Sequence, residues 1–215
     1  MGSECPTSIT IHVTGFKKFH GVPHNPTETI VSNLKQFLKR RSLIKPERFT
    51  LGSCTVLEAA ADGVFPFLES TVSGPTSSNH EQVIWLHFGA NGGSSKFALE
   101  YQAVNEASFL FPDEHGWQPQ QVPIVPEDGG IYQKRQTTCP IEMIVKHLKQ
   151  KEFDVSISSD ADRFLCNYIY YHSLRLAEQK GYKSFFVHVP LFSRIDEDIQ
   201  MEFAASLLEA LALTC

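Results

Sequence analysis

The chain has 215 residues, of which 42% are hydrophobic and 20% are charged, a balance typical of a folded globular protein. Lys and Arg number 19 against 24 for Asp and Glu, so the net charge of -5 argues against a protein that binds nucleic acid phosphates. No apolar run approaches the roughly 18 residues that a membrane span needs. This length predicts one domain over residues 1–215, with residues 1–7 as a tail.

The cysteines and the N-terminus bear on the cellular compartment. The five cysteines are odd in number, widely spaced and without a Cys-x-x-Cys pair, a pattern that indicates free thiols. The first residues lack the basic stretch and the apolar stretch of a signal peptide. We therefore expect a cytoplasmic protein.

Two strands and a helix are predicted in the first 57 residues. Residues 8–13 alternate as a strand does, and residues 50–57 are typical of a second strand. Between them, Asn25 is a suitable N-cap and Pro26 a suitable first helical residue. Apolar residues then keep helical spacing up to the basic cluster 39–41, which favours a helix C-terminus.

The middle of the chain holds a strand, a glycine-rich turn and a long loop. Residues 83–88 form an apolar run typical of a buried strand, and residues 89–93 follow as a turn. The turn fits no nucleotide-binding pattern, so we expect either a plain turn or a close backbone approach to a polar ligand. Residues 112–130 contain four prolines and little periodicity, which predicts a loop of functional or interfacial use.

Helices and strands alternate in the C-terminal part. The predicted elements are a helix over 141–151, a strand over 154–158, a helix over 163–180, a strand over 184–189 and a helix over 196–213. This alternation predicts an α/β fold with a mostly parallel twisted sheet that is covered on both faces. A site is expected where strands end and helices begin.

A cysteine near the start of a predicted helix is the strongest candidate for chemistry. Asp160 or Asp162 is positioned to cap this helix, and Cys166 falls in its first turns. The positive end of the helix favours the thiolate, and its free N–H groups can hold an oxyanion. The alternative is a buried, inert cysteine.

A histidine and a glutamate complete the candidate site. His188 ends an apolar strand, where it is placed to act as acid and base for a thiol. The alternative is a core histidine whose ring nitrogens are simply hydrogen-bonded. Glu100 has apolar neighbours and would fix the tautomer of that histidine, and the alternative is a surface glutamate on a helix.

A metal site is not expected. Among the nine histidines, His20 and His24 are four residues apart, but Gly21 and Pro23 between them argue against a helical pair of ligands. The sequence contains neither a two-histidine-plus-glutamate helix motif nor a cysteine cluster. We predict no metal and no cofactor.

Short segments from about residue 9 to residue 205 keep a characteristic order and spacing. They are Val13-Thr14-Gly15-Phe16, Phe19-His20-Gly21, Asn25-Pro26, Gly89 and Gly92 with Glu100 behind them, Pro112-Asp113, Phe164-Leu165-Cys166-Asn167 and His188-Val189-Pro190. Together these segments resemble the pyroglutamyl-peptidase I family, cysteine exopeptidases that are also called pyrrolidone-carboxyl peptidases.

This resemblance implies a three-layer α/β/α sandwich of the phosphorylase/hydrolase type and the removal of N-terminal pyroglutamyl (5-oxoprolyl) residues through a thioester. Cys166 would be the nucleophile, His188 the acid/base and Glu100 its orienting group. The neutral lactam ring calls for an apolar pocket with a few amide partners and no carboxylate. The implied substrate-binding residues are Phe16, Phe19, Asn91, Phe164 and Leu165. The implied partners are pyroglutamyl peptides and further copies of the chain in a tetramer, without nucleic acid or membrane.

Several positions depart from the family's pattern, among them Ala90 in place of glutamine and Ser94 in place of a common arginine. Asp162 stands where many members have glycine, and Leu110 stands where an arginine is suspected of stabilising the oxyanion. A negative charge near the thiol would disfavour the thiolate, and a missing cation would cost a few kcal/mol unless backbone N–H groups replace it. The alternative function is a catalytically weak or inactive relative that binds pyroglutamyl peptides.

Overall fold

The computed structural model describes residues 8–41, 49–72 and 81–215, so the predicted tail 1–7 lies outside the described residues. The elements, in chain order, are β1 (Ser8–Phe16), α1 (Pro26–Arg40), β2 (Thr50–Leu57), α2 (Val64–Val72), β3 (Glu81–Ala90), β4 (Phe97–Glu100), β5 (Gln102–Val104), a 3-10 helix (Pro126–Asp128), β6 (Lys134–Gln136), α3 (Ile141–Gln150), β7 (Val155–Ser158), α4 (Leu165–Lys180), β8 (Lys183–Val189) and α5 (Glu197–Thr214).

Six of the strands form one sheet in the order β2-β1-β3-β8-β4-β7. The strands β2, β1, β3 and β8 are parallel, whereas β4 pairs antiparallel with β8 and parallel with β7. The predicted α/β fold with a mostly parallel sheet is confirmed. Its β4 edge differs because the chain reverses direction after β3 and returns as β4 on the far side of β8.

Helices cover both faces of this sheet, which gives three layers. The helices α1, α3 and α5 pack with one face, and α2 and α4 pack with the other. Alternation along β8 divides its side chains between the two layers. Phe185 and Val187 join the core beneath α1, α3 and α5, whereas Phe186 joins the core beneath α2 and α4.

The start of α1 follows the sequence prediction. Asn25 is the N-cap, its side-chain oxygen accepts the N–H of Thr27 at 3.0 Å, and Pro26 occupies the first helical position. The helix packs closely on β1, because a β-carbon added at Gly15 would lie 2.6 Å from the carbonyl oxygen of Thr27. This contact requires glycine at the end of β1.

Several elements are absent from the sequence predictions. The short helix α2 and the strands β4, β5 and β6 are found only in the structure. The predicted loop over 112–130 is irregular, as expected, apart from one turn of 3-10 helix. Within the described ranges, no helix has both the length and the apolar character needed to cross a membrane.

Candidate active site

Cys166 is the second residue of α4, in the first turn where the sequence places it. The N-cap of this helix is Phe164, and no side chain caps the helix, so the predicted cap by Asp160 or Asp162 is wrong. Asp162 instead has a left-handed backbone with φ of 69°, and its Oδ1 accepts the N–H of Arg163 at 2.6 Å. The first-turn N–H groups beside Cys166 are therefore left without a side-chain acceptor.

His188 lies between this cysteine and a carboxylate. It is the next-to-last residue of β8 and is 6% exposed. Its Nδ1 donates to Oε1 of Glu100 at 2.7 Å, and its ring also hydrogen-bonds the side chain of Cys166. The carboxylate thus occupies Nδ1 and leaves Nε2 as the nitrogen that faces the sulfur.

Glu100 is held rigidly beneath the histidine. It ends strand β4 and is 1% exposed, so the alternative of a surface glutamate on a helix is wrong. The hydroxyl of Tyr170 donates to the backbone carbonyl of Glu100 at 2.9 Å. Within the described residues, Oε2 of Glu100 has no hydrogen-bond partner, so the carboxylate directs its paired oxygen at His188 alone.

The charge state of His188 follows from these two neighbours. Burial on its own lowers the pKa of His188, but the adjacent Cys166 thiolate and the Glu100 carboxylate outweigh burial and raise this pKa to about 10. An imidazolium is therefore favoured at neutral pH. Such an ion stabilises a thiolate at Cys166 and carries a proton that it can donate to a leaving group.

The sulfur of Cys166 packs on strand β3. A β-carbon added at Gly89 would lie 2.8 Å from Sγ of Cys166 and 2.7 Å from the ring of Phe186. Gly89 is also the register partner of His188 across β3 and β8. Since no side chain fits there, glycine at position 89 makes room for the cysteine opposite the histidine.

The start of α4 is fixed by the residue that follows the cysteine. Asn167 is fully buried and its amide donates to the carbonyl oxygens of Val104 and Glu106 at 2.8 and 2.9 Å. Its Oδ1 accepts the N–H of Val104 at 2.8 Å. These bonds tie the first turn of α4 to β5 and so hold Cys166 in place.

A cavity of about 290 Å³, here the catalytic cavity, opens beside the three candidate catalytic residues. Its wall is formed by Phe19, Val22, Ala90, Asn91, Gly92, Ala98, Glu100, Ser158, Asp160, Asp162, Phe164, Cys166 and His188. The rings of Phe19 and Phe164 lie 6.0 Å apart on it. Three of the predicted substrate-binding residues, Phe19, Asn91 and Phe164, thus share the cavity with the candidate catalytic residues.

The other two predicted substrate-binding residues lie deeper. Phe16 and Leu165 are each 3% exposed and belong to the core beneath α2 and α4, against which Phe19 and Phe164 pack. Neither is on the wall of the catalytic cavity. Their contact with substrate stays a prediction.

A second cavity of about 270 Å³, here the adjoining cavity, shares Phe19, Asp162 and Phe164 with the first. Its other wall residues are His20, Ser108, Leu110 and Phe111. The rings of His20 and Phe111 are 4.6 Å apart. His20 was expected as part of the segment Phe19-His20-Gly21 and Leu110 as a departure from the family's pattern, whereas nothing in the sequence pointed to Phe111 or to a second cavity here.

The walls of both cavities are acidic as well as apolar. Asp160 and Asp162 line the catalytic cavity, which differs from the pocket without carboxylates that the sequence predicts. Asp160 pairs with Arg163 at 2.6 Å, and Arg163 also pairs with Glu106 at 3.0 Å. Among the described residues lining the two cavities there is no lysine or arginine.

Comparisons with known proteins identify the family of this chain. The family model for pyroglutamyl peptidase matches residues 9–208. A pyrrolidone-carboxylate peptidase of Pyrococcus furiosus is 32% identical over 184 residues, 85% of this chain and 81% of that relative. One of Enterococcus faecalis is 30% identical over 205 residues, 94% and 88% of the two chains. A solved structure of a mutant Pyrococcus furiosus pyrrolidone carboxyl peptidase superposes with a TM-score of 0.77 at 29% identity, covering 94% of this chain and 97% of that one. The chain belongs to the pyroglutamyl peptidase family.

Proposed function

We propose that the protein is a cysteine exopeptidase that hydrolyses the amide bond after an N-terminal pyroglutamyl residue, with Cys166, His188 and Glu100 as its catalytic residues. The observation that carries this proposal is that the ring of His188 hydrogen-bonds both the side chain of Cys166 and the carboxylate of Glu100. A nucleophile, an acid/base and an orienting carboxylate are together what covalent catalysis of amide hydrolysis requires.

The first half of the reaction forms a thioester. The Cys166 thiolate attacks the carbonyl carbon of the pyroglutamyl residue, and the carbonyl oxygen becomes an oxyanion. The uncapped N–H groups in the first turn of α4 are placed to hold this oxyanion. His188 then gives its proton to the peptide nitrogen, so that the C–N bond breaks and a neutral amine leaves.

The second half releases the product. His188, now neutral, takes a proton from water as the water oxygen attacks the thioester carbonyl. Collapse of this second tetrahedral intermediate breaks the C–S bond, frees pyroglutamate and restores the thiolate–imidazolium pair. Glu100 keeps Nδ1 protonated throughout, since Oε1 lies 2.7 Å from it.

The walls of the catalytic cavity support a small neutral ring as the group that is recognised. Phe19 and Phe164 offer apolar surface for a lactam ring, and the exposed residue Asn91 on the same wall offers polar groups for its amide. A lactam carries no ammonium group, so it does not need an ion pair. This distinguishes it from the free N-terminus that an ordinary aminopeptidase binds.

The proposal also includes a cytoplasmic location and self-association. The four cysteines within the described residues are free thiols, which suits a reducing compartment. Exposed apolar side chains such as Leu110 (78%) and Tyr132 (83%) support assembly into a homo-oligomer such as a tetramer.

Turnover of a fluorogenic pyroglutamyl amide by the purified protein tests the proposed reaction. We expect hydrolysis of the pyroglutamyl amide and no hydrolysis of the prolyl amide, whose ring carries a charged amine. Cys166→Ala removes the nucleophile and should lower turnover by about 10⁴-fold or more. Circular dichroism checks that the variant is folded.

Cys54→Ala is the matched control, because Cys54 lies on β2, away from the cavity, and is also a free thiol. This variant should keep wild-type turnover. Absence of turnover by the wild-type protein, together with measurable binding of free pyroglutamate, would replace the enzyme by a protein that only binds pyroglutamyl peptides.

A further inference from the structure

Asp162 stands at the junction of the two cavities. Together with Phe19 and Phe164 it belongs to the wall of both. Its left-handed backbone and the 2.6 Å bond from the N–H of Arg163 to its Oδ1 fix the direction of the side chain. The carboxylate is therefore a constant feature of the wall that the two cavities share and not a freely moving surface group.

The charge of Asp162 has no cation to neutralise it. Its neighbour Asp160 forms an ion pair with Arg163, and that arginine is shared with Glu106. Within the part of the chain that the structure describes, Asp162 forms no ion pair. The junction thus carries a net negative charge that acts on a peptide bound in either cavity.

We infer that Asp162 selects among pyroglutamyl peptides by the charge of the residues that follow the ring, favouring basic and disfavouring acidic ones. The inference rests on the proposed function. With the ring in the catalytic cavity, the adjoining cavity is the neighbouring space for the residues that follow the ring, and Asp162 borders both. Since the lactam ring is neutral, only the following residues differ in charge between substrates.

The size of this selection follows from the exposure of the junction. Asp162 is solvent-exposed, so water and salt weaken its field. A unit charge in the passing peptide should change kcat/KM by about 3- to 10-fold at low ionic strength. Asp160 and Glu100 add smaller contributions, because each already has a positively charged neighbour.

Three C-terminally amidated dipeptides, in which lysine, alanine or glutamate follows pyroglutamate, provide the test. Chromatography of the released amino acid amide gives kcat/KM for each substrate. We expect the lysine substrate to exceed the glutamate substrate by about 10-fold or more in the wild-type protein at low salt. Asp162→Asn should lower this ratio at least threefold. In the wild-type protein, raising the salt concentration should also lower the ratio.

The substitution to asparagine keeps the left-handed backbone and the acceptor for the Arg163 N–H, so it removes only the charge. Asp162→Gly tests the same point with a second residue that tolerates this backbone. Asp198→Asn makes the same charge change on the exposed first turn of α5 and should leave the ratio unchanged. The ratio is taken within each variant, so an effect on kcat that is common to all substrates cancels.

The outcomes separate this inference from the proposed function. If none of the three dipeptides is cleaved, the proposed function fails. If the alanine substrate is cleaved and the lysine-to-glutamate ratio is the same in the wild-type protein and in Asp162→Asn, only the role of Asp162 is overturned.

Discussion

His87 and His188 are both buried on the face of the sheet that α4 covers, and both contact Phe186. His87 lies opposite Phe186 on β3, and His188 lies two residues after it on β8. The ring centroid of Phe186 is 6.2 Å from that of His87 and 5.0 Å from that of His188. The two histidines thus share their depth and their layer. They differ in their polar partners.

Neutral hydroxyls surround His87, whereas charged groups surround His188. Nδ1 of His87 bonds the hydroxyl of Thr14 at 2.7 Å, and Nε2 bonds the hydroxyl of Ser173 at 2.8 Å. Burial lowers the pKa of His87 to about 3, so it is neutral at physiological pH. Burial by itself therefore keeps His87 neutral, whereas the anionic partners of His188 outweigh burial and keep that ring charged.

Removing the carboxylate should make the surroundings of His188 resemble those of His87. Glu100→Gln loses the charge that orients Nδ1 and supports the imidazolium, so we expect pyroglutamyl amide turnover to fall by about 10³-fold. The pKa of His188 should also fall. NMR of ¹³C-labelled histidine follows both rings, and wild-type His188 should remain charged at pH 7 whereas His87 is neutral.

The titration of His188 also makes the stability of the folded protein depend on pH. Because the pKa of His188 is raised to about 10 in the folded protein, its proton stabilises the fold fully below about pH 6.5. This contribution is lost as the pH rises toward 10. Glu100→Gln should weaken this alkaline dependence, and an unchanged midpoint for His188 in the variant would contradict the role given to the carboxylate.

A smaller loss is expected from crowding the sulfur while the polar partners of both histidines are kept. In Gly89→Ala the new methyl group would lie 2.8 Å from Sγ of Cys166 and 2.7 Å from the ring of Phe186, so the sulfur and this ring, which packs against both histidines, must shift. We expect turnover to fall by about 10²-fold, because such displacements spoil reacting geometry. Overpacking should also cost about 1 to 3 kcal/mol of stability.

Gly63→Ala is the control for this experiment, since nothing lies within 4 Å of the added carbon. Its turnover should match that of the wild-type protein. Full activity in Gly89→Ala would show that the sulfur does not need the position it has against β3.

The smallest effect on turnover is expected at the other histidine. His87→Leu leaves the buried hydroxyl of Thr14 without this partner, whereas the hydroxyl of Ser173 keeps its bond to Ser184, so we expect a stability loss of about 2 kcal/mol with turnover per folded molecule retained. For a chain of this size that corresponds to a fall in melting temperature of about 4 to 8 °C. Calorimetry and turnover measured on the same sample provide the comparison.

Acid unfolding provides a second test of whether His87 is neutral in the folded protein. The folded state does not protonate this ring until about pH 3, whereas the unfolded state does so near pH 6.5. Its contribution is present above pH 6.5 and is lost as the pH falls. His87→Leu should therefore make the decline in stability shallower, by about 1.4 kcal/mol per pH unit between about pH 6 and pH 4. If His87→Leu lost as much turnover as Glu100→Gln, His87 would take part in the reaction, and the contrast drawn between the two histidines would be wrong.

Elements with strong local signals were predictable from the sequence. Asn25 and Pro26 mark the start of α1 by cap chemistry, and the strand over 50–57 has the bounds that its pattern predicts. The short helix α2 was missed because Pro66 interrupts its apolar pattern, although proline is tolerated in a first turn. The strands β4, β5 and β6 have three or four residues each, too few for a periodicity to show, and unlike the equally short β7 they do not lie between two predicted helices.

The candidate site was predictable to a similar extent. The positions of Cys166 and His188 at element ends follow from local patterns, and family resemblance pairs them with Glu100. The sequence identified Asp162 as a negative charge near the thiol but not its place on the wall of two cavities, because that place depends on which loops meet across the fold. The capping role expected of Asp162 failed because its left-handed backbone turns the side chain toward Arg163 instead of into the helix.

The first turn of α4 leaves one end of a buried helix unfinished. A serine or aspartate at the Phe164 position would stabilise that end by about 1 kcal/mol, and the chain forgoes this stability. In the proposed reaction, the carbonyl oxygen of the substrate becomes an acceptor for these N–H groups, and it accepts most strongly when it bears the negative charge of the tetrahedral intermediate. Stability that the uncapped helix lacks at rest would then be regained as stabilisation of that intermediate.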